Sequence, residues 1–402
     1  MRRPLEGIRV LDLTIWQQGT YASAMLADLG ADVIKIEERR SGDPGRYFGV
    51  DHDLGLSAYF EAHNRGKRSV ALDLKSPEGR DVLLRLAAGA DVFLTNYRVN
   101  AIGRLRLTYD HLAAANPRIV YVQASGHGHY GDDADLGSFD ILAQARGGMM
   151  SVVGEPDDPP LPTGVPQADQ VGAMHAAIAT LSGIVARNAT GRGMKFDTSL
   201  LGSQLSLQSF DITGYLFTGR QRQRTYRGGG TPFWRVYQGG DGNWFVIGML
   251  LERCWPEVTE VIGRPELAQD ERFDTYRKRT IESAAALIEI LDAAFSTAPA
   301  GRWVERLNAI GMFAAPVQDY AGVCSDPQVL ANGYISEVPH PGHEPVRMVN
   351  TGIVADGEPL AIERLAAQHG EHTEAVLLEA GYSWHEITKL REAGAIGPDG
   401  RD

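Results

Sequence analysis

The stretch from Ile8 to Glu37, IRVLDLTIWQQGTYASAMLADLGADVIKIE, decides the fold. Ile8–Leu13 (IRVLDL) is a short apolar run suited to a buried strand. Thr20–Leu29 (TYASAMLADL) carries apolar residues at helical spacing and stops at Gly30, and Val33–Ile36 (VIKI) is strand-like again. Strand, loop, helix, strand in that order calls for a parallel sheet joined by a right-handed crossover. A second cycle follows, with Ser69–Leu72 as a strand and Ser76-Pro77-Glu78-Gly79 opening a helix to about Ala88. Proline in the first turn with serine before it is a helix-start signal. Asp91–Leu94 and Ile119–Gln123 read as two further strands, and the alternation predicts an α/β domain.

Residues 132–168 are rich in Asp, Pro and Gly and read as loop around one short helix near 139–150. Helices are predicted from about 169 to 188, with Gly191 and Gly193 beyond, and over roughly 198–218. Arg227-Gly228-Gly229-Gly230-Thr231-Pro232 is the sharpest glycine cluster and lies where composition changes. Residues 233–248 alternate like a hairpin turning at Gly239-Gly240-Asp241-Gly242, and helical pattern dominates 251–310. The division expected is a large domain over 1–227, a smaller α+β domain over 228–325, and a return segment over 326–402. That last segment ends in helices near 375–380 and 384–393.

Across 402 residues, 39 Lys and Arg stand against 51 Asp and Glu, a net charge of -12. A phosphate-backbone binder needs a dense basic surface, so a nucleic-acid partner is not expected. The charge leaves room for a locally basic pocket. The two cysteines, Cys254 and Cys324, make neither a disulfide framework nor a zinc motif, which points to a reducing, cytoplasmic compartment. The N-terminus lacks the apolar run and small-residue cleavage site of a signal peptide. The apolar stretch 171–186 is broken by Gly172, His175 and Ser182, so a buried helix is predicted there and no membrane span.

Gly126-His127-Gly128-His129-Tyr130-Gly131 is a literal GxGxxG after a strand. A dinucleotide fingerprint needs a helix opening on its last glycine, whereas Asp132-Asp133-Ala134-Asp135 follows here. Glu37 ends its strand like a ribose-binding acid, but Thr14–Gly19 supplies a single glycine. His127 and His129 alternate without the spacing of a metal site and read as a solvated polar loop, and no GxSxG elbow occurs. His175 reads as a helix histidine bonded to a neighbour. Asp169 follows Gly164-Val165-Pro166-Gln167-Ala168 and begins the long apolar helix. It is either a plain N-cap accepting a backbone N–H, or a nucleophilic carboxylate at a helix N-terminus.

The segments PLEGIRVLDLT (4–14), LGADVIKIE (29–37), NRGKRSVALDLKSPEGR (64–80), TGRG (190–193) and GEHTEAVLLEAGYS (370–383), together with the Asn96 segment, resemble the class III CoA-transferases, the formyl-CoA transferase or CaiB/BaiF family. The likeness runs in order over nearly the whole chain. It implies a Rossmann-like large domain built from both termini, a smaller domain between, and an interlocked homodimer of ring-like chains. It implies CoA transfer from an acyl-CoA thioester to a carboxylic acid acceptor through aspartyl anhydride and aspartyl-CoA intermediates. The nucleophile falls on Asp169, in a motif resembling GVPQAD. Backbone amides near Gln17 and Gln18 are the implied oxyanion donors, and a glycine-rich loop resembling Gly228–Thr231, with Gly229 and Gly230, is implied to close over the intermediates.

CoA contacts are implied at Gln18, Arg39, Leu72, Lys75, Asn96, Tyr97 and Arg104, and an acyl pocket at Phe48, Tyr59 and Phe139. Glu38 stands where a basic residue commonly follows IKIE, so the roles of Arg39 and Arg40 stay open. No tightly bound cofactor or metal is expected, with coenzyme A entering as substrate. The family's racemase branch carries GHD before a helix, and this chain has Ser138-Phe139-Asp140 there. Phenylalanine transfers no proton, so acyl-CoA racemisation is the lesser alternative, and a non-catalytic acyl-CoA-binding protein is another.

Overall fold

Near-continuous apolar runs become strands buried on both faces, as a parallel sheet covered by helices requires. The computed structural model describes residues 3–249, 251–341 and 344–397. Its elements begin β1 (Arg9–Leu13), α1 (Gln18–Asp28), β2 (Asp32–Glu38), α2 (Ala58–Asn64), β3 (Arg68–Leu72), α3 (Pro77–Ala88), β4 (Val92–Thr95). They continue α4 (Val99–Leu105), α5 (Tyr109–Ala115), β5 (Val120–Ser125), α6 (Asp140–Arg146), α7 (Gln167–Thr190), β6 (Lys195–Ser199), α8 (Leu200–Leu207) and α9 (Ser209–Thr218). The sheet has seven strands in the order Ile396–Gly397, β3, β2, β1, β4, β5, β6. Strands β1 to β6 are parallel, and Ile396–Gly397 runs antiparallel on β3. Strand order reverses between β1 and β4, which opens a crevice at their carboxyl ends.

Alternate side chains serve two cores. Leu11, Ile34, Val70, Phe93 and Tyr121 pack with α3 and with Val376 and Ile387 from the C-terminal helices. Val10, Val33, Val92 and Val120 pack on the other face with Leu26 of α1 and Ala173 and Ala177 of α7. The start signal at Ser76 works as read: its Oγ accepts the Gly79 N–H at 2.9 Å. Helix α7 departs from the expectation of a buried helix, since Met174, Ile178 and Val185 form an exposed apolar face. No helix among the described residues is long and apolar enough to cross a membrane.

Two elements escaped the sequence reading. The polar edge strand β6 (KFDTS) alternates partial and full exposure, and helix 198–218 is in fact α8 and α9. Gly193 lets that strand approach β5: a Cβ there would lie 2.0 Å from the Ile119 carbonyl oxygen.

The chain clusters into two units. One contains residues up to Met149, Pro162–Phe217 and the segment from Pro327; the other contains Met150–Leu161 and Thr218–Asp326. In this division 150–161 and 218–227 fall in the second unit. The Arg224 guanidinium is the physical reason, donating to the carbonyls of Met150 (2.7 Å), Ser151 (3.2 Å) and Asp158 (2.6 Å). The second unit has antiparallel strands β7 (Arg235–Gln238), β8 (Trp244–Met249) and β9 (Phe313–Pro316) over an aromatic core of Tyr237, Phe245, Phe295 and Trp303.

Charge is buried at the carboxyl ends of β1 to β3. Lys67 Nζ lies 2.9 Å from Asp12, and Lys35 Nζ lies 2.8 Å from Asp43. Glu37 accepts two bonds from Arg46 (2.8 and 2.6 Å), one from Ser69 Oγ (2.6 Å) and one from the Asp43 N–H (3.0 Å). Its oxygens are engaged in the scaffold, which removes it as a ribose acid. Burial opposes the anion, but Arg46, Lys35 and Ser69 hold its pKa at about 2. Lowered from 4.5, that carboxyl contributes stability present above pH 4.5 and lost as pH falls toward 2, about 3 kcal/mol at neutral pH. Glu37→Gln is expected to lower unfolding free energy by about that much at pH 7 and by much less near pH 2. Denaturant titrations at the two pH values check this, and an equal loss at both would contradict it.

Candidate active site

The crevice at the β1/β4 reversal holds a cavity of about 370 Å³. Ile15, Trp16 and Gln18 reach it from the end of β1, and Asn96, Tyr97 and Arg98 from the end of β4. Ser125 ends β5 and Gly126 follows it, Ala134 and Leu136–Phe139 precede α6, and Tyr59 and Asp169 come from α2 and α7. Carboxyl-end loops at a topological switch point are where open α/β sheets bind ligands.

The loop after β1 is fixed tightly. The Asn96 side chain accepts from the Ile15 N–H at 2.9 Å and donates to the Ile15 carbonyl at 2.7 Å. That amide therefore ties β4 to β1. Trp16 has φ 60°, a left-handed conformation uncommon for a bulky residue. Its carbonyl accepts from Thr20 Oγ, its N–H donates to Asp43 Oδ1 at 3.4 Å, and its ring meets Phe139 edge-on at 6.2 Å. The tight turn aims the start of α1 into the cavity. Gln17 is the N-cap residue and makes no side-chain cap bond. Gln18 is 5% exposed, and its Nε2 has no hydrogen-bond partner among the described residues. Gly172 of α7 admits this side chain, because a Cβ there would lie 2.9 Å from Gln18 Nε2.

Asp169 is the third residue of α7 and not its cap. The N-cap position is Pro166, which has no side-chain acceptor. The Asp140 carboxylate, from the first position of α6, instead accepts the N–H groups of Ala168 (2.6 Å) and Asp169 (3.1 Å) on Oδ1. Of the two roles open for Asp169 in the sequence, the geometry removes N-capping. Burial, and then the Asp140 charge, push the Asp169 carboxyl up to about 7. A helix N-terminus favours an anion, but the amides that would do so are engaged by Asp140. Burial and the charges of Asp169 and Asp43 push the Tyr59 phenol up as well.

Six of the anticipated residues meet in this cavity: Gln18, Tyr59, Asn96, Tyr97, Phe139 and Asp169. Phe48 is exposed and touches the Tyr59 ring edge-on at 5.1 Å. Lys75 and Arg104 are exposed; against its burial, the Glu38 carboxyl is held below the usual range by the Ser41 N–H and hydroxyl and the Arg40 N–H, with Lys75 adding least. Arg39 is buried, with Nε donating to the Ile396 carbonyl at 3.2 Å. Leu72 ends β3, and its side chain lies in the core with Val70 and Leu83. Gly229 is buried in the second unit, where a Cβ would lie 1.9 Å from the Trp234 carbonyl oxygen, while Gly230 faces open space.

Sequence reading missed Trp16, Arg98 and the capping role of Asp140. Backbone strain at Trp16 left no signal. Arg98 was legible only by position, two residues past Asn96; it packs on Gly137, where a Cβ would lie 2.3 Å from its guanidinium. The histidines of GHGHYG are half-buried instead of solvated, with His129 Nε2 3.3 Å from Asp197, and no helix opens on Gly131. His175 Nδ1 lies 3.3 Å from Ser203 Oγ. No cluster of three or more His, Cys, Asp or Glu side chains suited to a metal occurs among the described residues.

A doubly wound α/β unit with a basic, uncapped carboxylate in its switch-point cavity is built as an enzyme of group transfer. The chain belongs to CoA-transferase family III, whose family model matches residues 5–373. It is 29% identical over 397 residues to the succinyl-CoA:glutarate CoA-transferase of Homo sapiens, covering 98% of this chain and 90% of that one. It is 32% identical over 413 residues to the formyl-CoA:oxalate CoA-transferase of Streptomyces coelicolor, covering 98% and 99%. The crystal structure of a CaiB/BaiF family protein from Brucella suis superposes with a TM-score of 0.84 at 31% identity, covering 94% of this chain and 100% of that one.

An acid whose folded pKa is raised costs stability above its unfolded value. Stability is lost as pH rises from 3.8 to about 7, because the unfolded chain gives up that proton first. Asp169→Asn is therefore expected to melt higher than the parent at pH 8, with the gap closing below pH 4. Thermal melts across that range check it, and a gap independent of pH would contradict it.

Proposed function

We propose that this CoA-transferase moves CoA from an acyl-CoA thioester to a carboxylic acid with Asp169 as the covalent nucleophile. The observation that carries the reading is a carboxylate in the switch-point cavity, released from helix capping and basic, beside the unpartnered Gln18 amide.

An Asp169 oxygen attacks the thioester carbonyl, the C–S bond breaks, and CoA leaves as thiolate from a mixed aspartyl anhydride. The thiolate attacks the aspartyl carbonyl and expels the donor acid, leaving aspartyl-CoA. The acceptor carboxylate displaces CoA to form a second anhydride. The returning thiolate takes the acceptor acyl group and restores the Asp169 carboxylate. Each difficult exchange is divided into easier steps. The backbone N–H groups at Gln17 and Gln18, where α1 starts without a side-chain cap, suit the oxyanions, and so does Gln18 Nε2.

Lys75 and Arg98 follow the carboxyl ends of β3 and β4, and with Arg104 of α4 and Arg39 they suit the CoA phosphates. Phe48, Tyr59 and Phe139 form the aromatic wall of the acyl pocket. Gly228–Thr231 is the segment proposed to cover the intermediates, with Gly230 free to change conformation. A homodimer is part of the proposal. Phe210 and Phe217 of α9 are 86% and 84% exposed, and a helix with no buried residue calls for cover by a second copy. Relatives named for succinyl, glutarate, formyl and oxalate make short acids and diacids the first panel of donors and acceptors.

Incubation with an acyl-CoA and hydroxylamine is expected to leave a hydroxamate on Asp169, read by peptide mass spectrometry. Asp169→Ala is expected to lose at least about a thousandfold in kcat, as removal of a covalent nucleophile does. The carboxylate is the reactive form, so kcat/KM is expected to rise as pH passes through about 7. Normal exchange by Asp169→Ala, or a hydroxamate elsewhere, would overturn the assignment.

A further inference from the structure

Helix α7 begins with an unusual defect. Its N-cap is a proline, so no side chain at that position can accept the orphan amide hydrogens of the first turn. An aspartate in the first turn of a helix ordinarily turns back toward such amides. Here Asp140, on another helix, already occupies two of them through a single oxygen.

Asp140 is itself held from behind. Gln144 Nε2, one turn along α6, donates to its other oxygen at 2.6 Å and to the Val165 carbonyl at 3.2 Å. Gln144 Oε1 accepts from the Thr163 N–H at 3.0 Å. One buried glutamine thus ties α6 to the backbone on either side of Gly164, just ahead of α7. The carboxylate of Asp140 is fixed relative to the first turn of α7 from both of its oxygens.

We propose that Asp140 is a positioning residue, whose carboxylate takes the N-terminal amides of α7 and so keeps the neighbouring Asp169 carboxylate free of hydrogen bonds to them. The inference rests on Asp169 being the nucleophile. A carboxylate bonded to helix amides is stabilised as an anion and is a weak nucleophile; one denied those amides and facing a like charge is more basic. Two acids with separate tasks result, one that caps and one that reacts. The titratable groups facing Asp169 are Asp140 from α6 and Tyr59 from α2. Arg98, from the segment after β4, is the cation lining the same cavity.

The test compares full-length Asp140→Asn and Asp140→Glu with the parent. Asparagine keeps an oxygen for the two amides and removes the charge, although its NH₂ would face Gln144. Glutamate keeps the charge. The acid limb of kcat/KM is expected to move down by roughly 1 pH unit in Asp140→Asn. Its kcat is expected to fall on the order of tenfold through lost orientation. Asp140→Glu is expected to keep the parental limb at a reduced kcat. The Asp169 carboxyl, followed by carbon-13 NMR titration without substrate, is expected to move in the same way.

An unmoved Asp169 titration in Asp140→Asn would overturn the proposal and leave Asp140 a purely structural cap. Should that variant fail to fold, Asp140→Glu decides: a limb that stays supports the proposal, and one that drops by a unit overturns it. Hydroxylamine trapping on the parent enzyme separates the two readings. If no adduct forms on Asp169 the nucleophile assignment fails, whatever Asp140 does.

Discussion

Two lysines buried against two aspartates hold the working end of the sheet. Asp12 on β1 is fully enclosed and bonds Lys67, Ser23 and Thr14, while Lys35 on β2 reaches both Asp43 and the Thr14 carbonyl. Burial works against the Asp12 anion, yet Lys67 and Lys35 keep its pKa below the usual range. The same burial draws Lys67 down to about 8 against the pull of Asp12. Such groups cost several kcal/mol each to desolvate, and removing one member strands the others. The arrangement is therefore a constraint on geometry. It fixes the chain from Thr14 through the strained Trp16 to the first turn of α1, and that turn faces Asp169.

Two carboxylates in the first turns of α6 and α7 are sorted by what surrounds them. Asp140 receives two backbone amides and a glutamine, so its charge is satisfied. Asp169 receives none of these and lines the cavity with Trp16, Tyr59, Tyr97 and Phe139. Glu37 beneath is surrounded by donors and serves as scaffold. The environment, more than residue type, separates the anchor, the cap and the uncapped carboxylate that lines the cavity. The two glutamines at the start of α1 complete the same logic, because a helix start whose N-cap residue makes no side-chain bond has amide donors to offer an oxyanion.

The central sheet was legible because its strands are apolar and its helices carry start signals, as at Ser76-Pro77. The polar edge strand Lys195–Ser199 was not, since half-buried polar residues carry no hydrophobic period. Residues 150–161 join 218–227 because a single arginine, Arg224, gathers carbonyls some seventy positions earlier, a long-range contact that composition cannot reveal. At the site, Asp169 stood out by its place before an apolar helix, but whether it capped that helix stayed open until Asp140 was seen to do so from elsewhere in the chain. Leu72 came from likeness alone, and its burial in the core follows from the strand it lies in.

The most direct test of the account follows oxygen atoms. In the anhydride route the acceptor carboxylate leaves one of its oxygens on the nucleophile when CoA departs with the acyl group. A single turnover of the CoA-charged enzyme with acceptor acid labelled with oxygen-18 in both carboxylate oxygens should place one labelled atom in the Asp169 side chain, read by mass spectrometry of the peptide that contains it. Acyl-CoA product formed with no label in Asp169, or label on another residue, would contradict the account.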